Sequence, residues 1–240
     1  SLEAAVKDVP ADGTETTILL MDNIVMTTDD IVTIAEGQNI ILDMDEYSIT
    51  VQDDFKGRPI VNEGTLTVTG NGTIDSTTAQ NGGLGAINNK GVLTIENGTY
   101  RGDKYASGAC IRNTGAGASL TIKDGTFEKA TCAVYNEGTA VIYKGNFSNE
   151  SCSSCAKVDG HENMWSYTIR NVTKDSKMTI YGGEFISTQG AVSAAIGSLT
   201  VNGGYFKTVD CERKHGAIFY ALYAAGEVGE VETVINGGTF

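Results

Sequence analysis

One short phrase returns seven times in this chain: Leu-Thr-Ile, two variable residues, then glycine, a small or polar residue and an aromatic. Leu93-Thr94-Ile95 leads to Gly98-Thr99-Tyr100, and Leu120-Thr121-Ile122 leads to Gly125-Thr126-Phe127. The next copies are Ala140-Val141-Ile142 with Gly145-Asn146-Phe147, Met178-Thr179-Ile180 with Gly183-Glu184-Phe185, and Leu199-Thr200-Val201 with Gly204-Tyr205-Phe206. A looser copy from Leu66 to Ile74 opens the series, and one from Val234 to Phe240 closes it. Units repeated in this way cannot all reach one central core. Each must bury its apolar face against the units before and after it, which makes the chain a solenoid.

A second phrase precedes the first in each unit: an aliphatic, any residue, then asparagine. It reads Ile60-Val61-Asn62, Ile87-Asn88-Asn89, Ile111-Arg112-Asn113, Val134-Tyr135-Asn136 and Ile169-Arg170-Asn171. The first four of these asparagines stand 27, 24 and 23 residues apart. That is enough for one coil of three short strands and too little for a helix in every unit, which argues against leucine-rich or βαβ repeats. The expected fold is all-β: a right-handed, single-stranded parallel β-helix, its hand following the general rule for parallel crossovers. Leu2 to Lys7 has helical propensity and an apolar side, so a short N-terminal capping helix is expected over the exposed strand edges of the first coil.

Equivalent residues of successive coils should then stack as columns at about 4.8 Å. The aromatic column is Tyr100, Phe127, Phe147, Phe185, Phe206 and Phe240, with Ile74 below it. The asparagines form a second column, expected at a corner, in left-handed backbone, with amides bonding from coil to coil. Earlier, Ile40, Leu42 and Met44 alternate with Ile41, Asp43 and Asp45 at the period of two that marks a strand. The chain reads as a single domain over 1–240, with a cap over 1–14 and coils over 15–240. Two intervals break the rhythm, at 149–166 and 209–216; both follow the aromatic strand, so both insertions should leave the same corner. Insertions on one edge of a solenoid commonly form its binding face.

Composition narrows the function classes. Thirty glycines against two prolines suit tight corners and unbroken strand ladders. A net charge of −13 argues against nucleic acid and anionic membranes as partners, because phosphate binding needs clustered Lys and Arg. No stretch reaches the apolar length that crosses a bilayer as a helix, and no secretory leader is evident. Five cysteines do not make a disulfide framework, and Cys110 and Cys132 stand in small, apolar strand contexts as expected of buried hydrophobes.

Leu42-Asp43-Met44-Asp45-Glu46-Tyr47-Ser48-Ile49 resembles the phrase Leu-Asp-Leu-Asn-Gly-His-Thr-Ile. Followed by Gly-x-Leu-Thr-Val and Gly-Thr-Ile repeats, it is similar to the pectin-lyase-like β-helix region of large, adhesin-like cell-surface proteins of gut anaerobes. The resemblance spans residues 15–240 and departs from the phrase at Glu46 and Tyr47. It implies a bacterial, extracellular module, with other domains of a larger surface protein around it. The same scaffold carries lyases, glycosidases, phage tail spikes and non-catalytic adhesins, so it implies no single activity.

Catalysis on a polysaccharide needs paired carboxylates, or a base with calcium ligands. Asp43 and Asp45 are expected on one strand face and Asp53-Asp54 in a loop, without the accompanying acidic, Arg and His positions of such enzymes; no catalytic residue is assigned. The two insertions hold Cys152, Cys155 and His161, then Cys211 and His215. This set has ligand spacing for zinc, and equally allows a disulfide between loops or free thiols; no cofactor is assigned. Candidate binding residues are the outward aromatics Tyr143, Tyr181 and Trp165 and the outward column Arg112, Tyr135 and Arg170. Aromatic faces stack on sugar rings and Arg forks grip carboxylates, so a polysaccharide or host glycan is the expected ligand. The plainer alternative is a cross-coil ladder that supports the sheet. The expected function is a non-catalytic surface binding, adhesion or spacer module, with a polysaccharide lyase, a glycoside hydrolase or a phage tail-spike fragment as alternatives.

Overall fold

From Leu66 onward most coils use the same residue types in the same order, and the strands follow that order. The computed structural model describes residues 1–27, 30–79, 84–102, 108–150, 167–194, 196–210, 220–223 and 231–240. Among them, three parallel sheets of nine, eight and eight strands form the sides of a parallel β-helix. The first sheet runs from Glu15–Leu19 to Val231–Ile235 and carries the Leu-Thr-Ile phrase. The second runs from Ile24–Met26 to Tyr205–Thr208 and carries the aromatics. The third runs from Val32–Ile34 to Tyr220–Tyr223 and carries the asparagines. Each coil visits the sheets in turn, so every strand pairs with the strand one coil away.

The registers make the columns real. Leu66, Leu93, Leu120, Ala140, Met178 and Leu199 align in the first sheet, each 2% exposed or less. Along the second sheet and one coil past its last strand, six rings stack without a break. Their centroids are 5.0 Å apart from Tyr100 to Phe127, 4.8 Å to Phe147, 4.7 Å to Phe185, 4.8 Å to Phe206 and 4.9 Å to Phe240. The planes lie within 11° of parallel, because the strand spacing sets the ring spacing. Ile74 continues the column below Tyr100.

The asparagine column is a hydrogen-bonded ladder. Asn62 Nδ2 donates to Asn89 Oδ1 at 2.7 Å, Asn89 to Asn113 at 2.7 Å, Asn113 to Asn136 at 2.8 Å and Asn136 to Asn171 at 2.8 Å. Each amide also donates to a first-sheet carbonyl of a following coil (Val92, Ser119, Thr139, Lys177 and Ser198), which ties the third sheet to the first. These residues are not left-handed, contrary to the sequence expectation. They end strands, and the only described non-glycine residues with positive φ are Asp45 and Lys129. An extended Asn aims its amide along the column, where a left-handed one would turn it aside.

The cap forms as expected. The helix α1, Leu2–Lys7, starts on Ser1, whose Oγ accepts from Ala4 N at 3.3 Å, and it buries Leu2 and Val6. Gln38 locks its end to the second coil by donating to Val6 O and Val9 O, both at 2.8 Å. Two local readings change. Asn149, placed at the start of the first insertion, instead closes the strand Asn146–Asn149; it is buried and its Oδ1 accepts from Thr188 N at 3.0 Å. Asp45 does not share a strand face with Asp43. The strand ends at Asp43, and Asp45 turns left-handed with φ 47° while donating its N–H to Asp43 Oδ1.

Candidate recognition surfaces

The corner between the first and second sheets carries an outward column of one residue per coil: Glu96, Lys123, Tyr143, Tyr181, Asn202 and Asn236. Each later member's N–H donates to the coil beneath, which holds the side chains in line. Neighbours in this column pair by chemistry. Lys123 Nζ meets Glu96 at 2.8 Å, Tyr143 stacks on Tyr181 at 5.2 Å and 8°, and Asn236 Nδ2 donates to Asn202 Oδ1 at 2.8 Å. Tyr143 and Tyr181 are 50% and 51% exposed, so their stack leaves edges and hydroxyls in solvent.

The adjoining column changes character along the axis. In the lower coils Asn97 bonds Asn71 at 2.7 Å and Lys144 pairs with Asp124 at 2.7 Å. Above them come Gly182, Gly203 and Gly237. A Cβ there would stand 2.8, 2.5 and 2.6 Å from the carbonyl oxygens of Tyr143, Tyr181 and Asn202. The sequence marks these positions only as the first members of the glycine pairs Gly182-Gly183, Gly203-Gly204 and Gly237-Gly238. It did not show that they form a shelf bare of side chains, with Tyr143 and Tyr181 along one side. Tyr205, 41% exposed, stands on the other side and has no ring partner among the described residues. Sequence reasoning missed Tyr205. Its signal was there: it holds the position between glycine and aromatic where other copies carry Thr, Asn or Glu.

Arg112, Tyr135 and Arg170 occupy one register of the third sheet, as their spacing implies. The guanidinium of Arg112 lies 4.7 Å from the Tyr135 ring centroid and that of Arg170 5.9 Å from it, so the ring is engaged by a cation in each adjoining coil. Arg170 also lies 5.9 Å from the Tyr167 ring, and Arg112 Nη2 meets Glu137 at 3.0 Å. This column is largely self-engaged. It also lies on a different sheet from Tyr143 and Tyr181, so the sequence candidates form two surfaces and not one.

Cys110 and Cys132 are free and fully enclosed. Burial pushes both thiols well above their usual range, which leaves them neutral and unreactive. Trp165, Cys152, Cys155, His161, Cys211 and His215 lie outside the described residues. Among the described residues no group of three His, Cys, Asp or Glu side chains could hold a metal ion, and no helix is long and apolar enough to cross a membrane. Comparison with known protein families, with characterised proteins and with solved structures finds no match to this chain.

Proposed function

We propose that this chain is a non-catalytic binding module of a bacterial cell surface that recognises a polysaccharide or host glycan along the tyrosine strip. The observation that carries this reading is the change of side chains along one corner. Columns filled with charged and amide pairs in the lower coils give way to three half-exposed tyrosines around a shelf with no side chains. Such a strip runs along the solenoid axis with a repeat of about 4.8 Å, suits an extended polymer, and offers ring edges, phenol hydroxyls and an amide pair to sugar hydroxyls. The net charge of −13 disfavours polyanionic partners such as nucleic acid. The resemblance to adhesin-like surface regions supports the extracellular placement and other domains as neighbours.

Glycan-array binding of the wild type and of Tyr143→Ala, Tyr181→Ala and Tyr205→Ala tests the proposal. The expected result is a defined set of bound glycans whose signal drops at least tenfold in each variant. Absent binding, or binding that all three variants retain, rejects it. New reducing ends, or an unsaturated product absorbing in the ultraviolet, would replace it with catalysis.

A further inference from the structure

Four residues before the column asparagine the repeat carries Gly85, Ala109 and Cys132, but the coil of Asn62 carries Arg58. Arg58 is only 6% exposed. Its Nη1 donates to Ala109 O at 2.5 Å, two coils away, and a Cβ on Gly85 would run into both groups. Glycine at 85 is therefore what lets the arginine lie across that coil. Among the described residues Arg58 has no carboxylate partner. The buried thiols of Cys110 and Cys132 stay neutral and supply no counter-charge. Burial, and then the neighbouring charge of Arg112, pulls the Arg58 guanidinium down to about 9, which leaves it protonated at neutral pH. A buried cation with no anion is costly, and among the described residues no carboxylate of this chain of net charge −13 is placed beside it.

Arg58 and Arg112 line a hollow of about 370 Å³ together with Val61, Leu84, Asn88 and Thr114. That volume falls at the lower end of small-molecule sites. Arg112 is already balanced by Glu137, so the described residues that line the hollow leave it one net positive charge, that of Arg58. Thr114 Oγ1 donates to Asn88 Oδ1 at 2.7 Å, which orients the amide and leaves Asn88 Nδ2 without an acceptor among the described residues. Val61 and Leu84 supply apolar walls.

We propose that this hollow binds a small hydroxylated carboxylate, its anionic end on the Arg58 guanidinium beside Arg112 and a hydroxyl on Asn88 Nδ2. A guanidinium fork matches the planar carboxylate in two parallel hydrogen bonds, and a single net charge matches a monoanion better than a phosphate dianion. The site lies on the third sheet, away from the tyrosine strip, and holds whether or not that strip binds a glycan.

Isothermal titration of the whole chain with D-glucuronate, D-glucose and sodium sulfate at neutral pH tests the assignment. Glucuronate should bind at least tenfold more tightly than glucose or sulfate. Arg58→Met, which keeps the bulk and removes the charge, should weaken glucuronate at least tenfold. Leu84→Trp should do the same by filling the hollow from a partly exposed position, while Val25→Ala, at an exposed position of the second sheet outside both surfaces, leaves it unchanged. Glucose or sulfate binding as well as glucuronate, or full binding by Leu84→Trp, overturns the proposal. Should Arg58→Met fail to fold, Leu84→Trp decides alone.

Discussion

Gly145 lies against the ring of Phe147: a Cβ on the glycine would stand 3.0 Å from the ring's Cε2 and 2.9 Å from Gly125 O in the coil beneath. The same relation recurs at Gly125 with Phe127, Gly183 with Phe185, Gly204 with Phe206 and Gly238 with Phe240. The glycine and the aromatic two residues later are thus one device. Positive φ turns the corner and the missing side chain leaves space for the ring.

Gly145→Ala should therefore cost at least about 2 kcal/mol, since both the backbone region and the space are denied to it. Gly117→Ala, where a Cβ meets nothing within 4 Å, should stay within about 0.5 kcal/mol of wild type. Urea midpoints of the two variants make the comparison, and equal midpoints would refute this account of the motif.

The ring stack predicts a gradient with position. Phe147→Leu removes a ring buried between two others and should destabilise by about 1.5–3 kcal/mol. Phe240→Leu changes a ring that is 51% exposed and stacked on one side, and should cost less than about 1 kcal/mol. Thermal unfolding of both variants measures the difference.

Asn113 accepts from Asn89 and donates to Asn136 Oδ1 and Thr139 O, with all three asparagine side chains buried. Asn113→Ala breaks the ladder at one rung, leaving Asn89 Nδ2 only its bonds to Ser119 O and Gly91 O and Asn136 Oδ1 only that from Gly138 N, and should cost about 1–3 kcal/mol. Hydrogen exchange should rise first at the Asn89 and Asn136 corners, which share the broken rung. Uniform exchange along the chain would argue against a ladder.

Acid should weaken one surface contact in a defined direction. The Lys144 ammonium, helped by the Gly125 N–H, holds the Asp124 carboxyl below its ordinary value of 3.8. Because the folded value is the lower one, this contact stabilises fully above 3.8 and is lost as pH falls through the folded value. Asp124→Asn should be less stable than wild type at neutral pH, by less than about 1 kcal/mol because the pair is solvated, and the gap should close near pH 2. A gap that persists in acid would assign the loss to packing.

The period, the three-strand coil, the cap and the aromatic and asparagine columns were all readable in the chain. Each coil repeats one set of contacts, so alignment of the copies reports which residues touch. Leu93 above Leu66, or Phe147 above Phe127, follows from spacing alone once strands stack in register. The conformation of the asparagines was not readable, because Asn is equally at home in a left-handed corner and at a strand end. Its choice here depends on the amide above and the amide below.

The two surfaces needed the folded chain for a related reason. Tyr143 and Tyr181 align by their repeat position, but the bare shelf beside them exists because backbone carbonyls of one coil approach the glycines of the next. Arg58 reaches Ala109, 51 residues on, by crossing a coil that has no side chain at Gly85. Local pattern states how strands alternate and where they turn. The direction taken by a long side chain across several coils depends on which neighbours leave room for it, and that appears only when the coils are wound on one another.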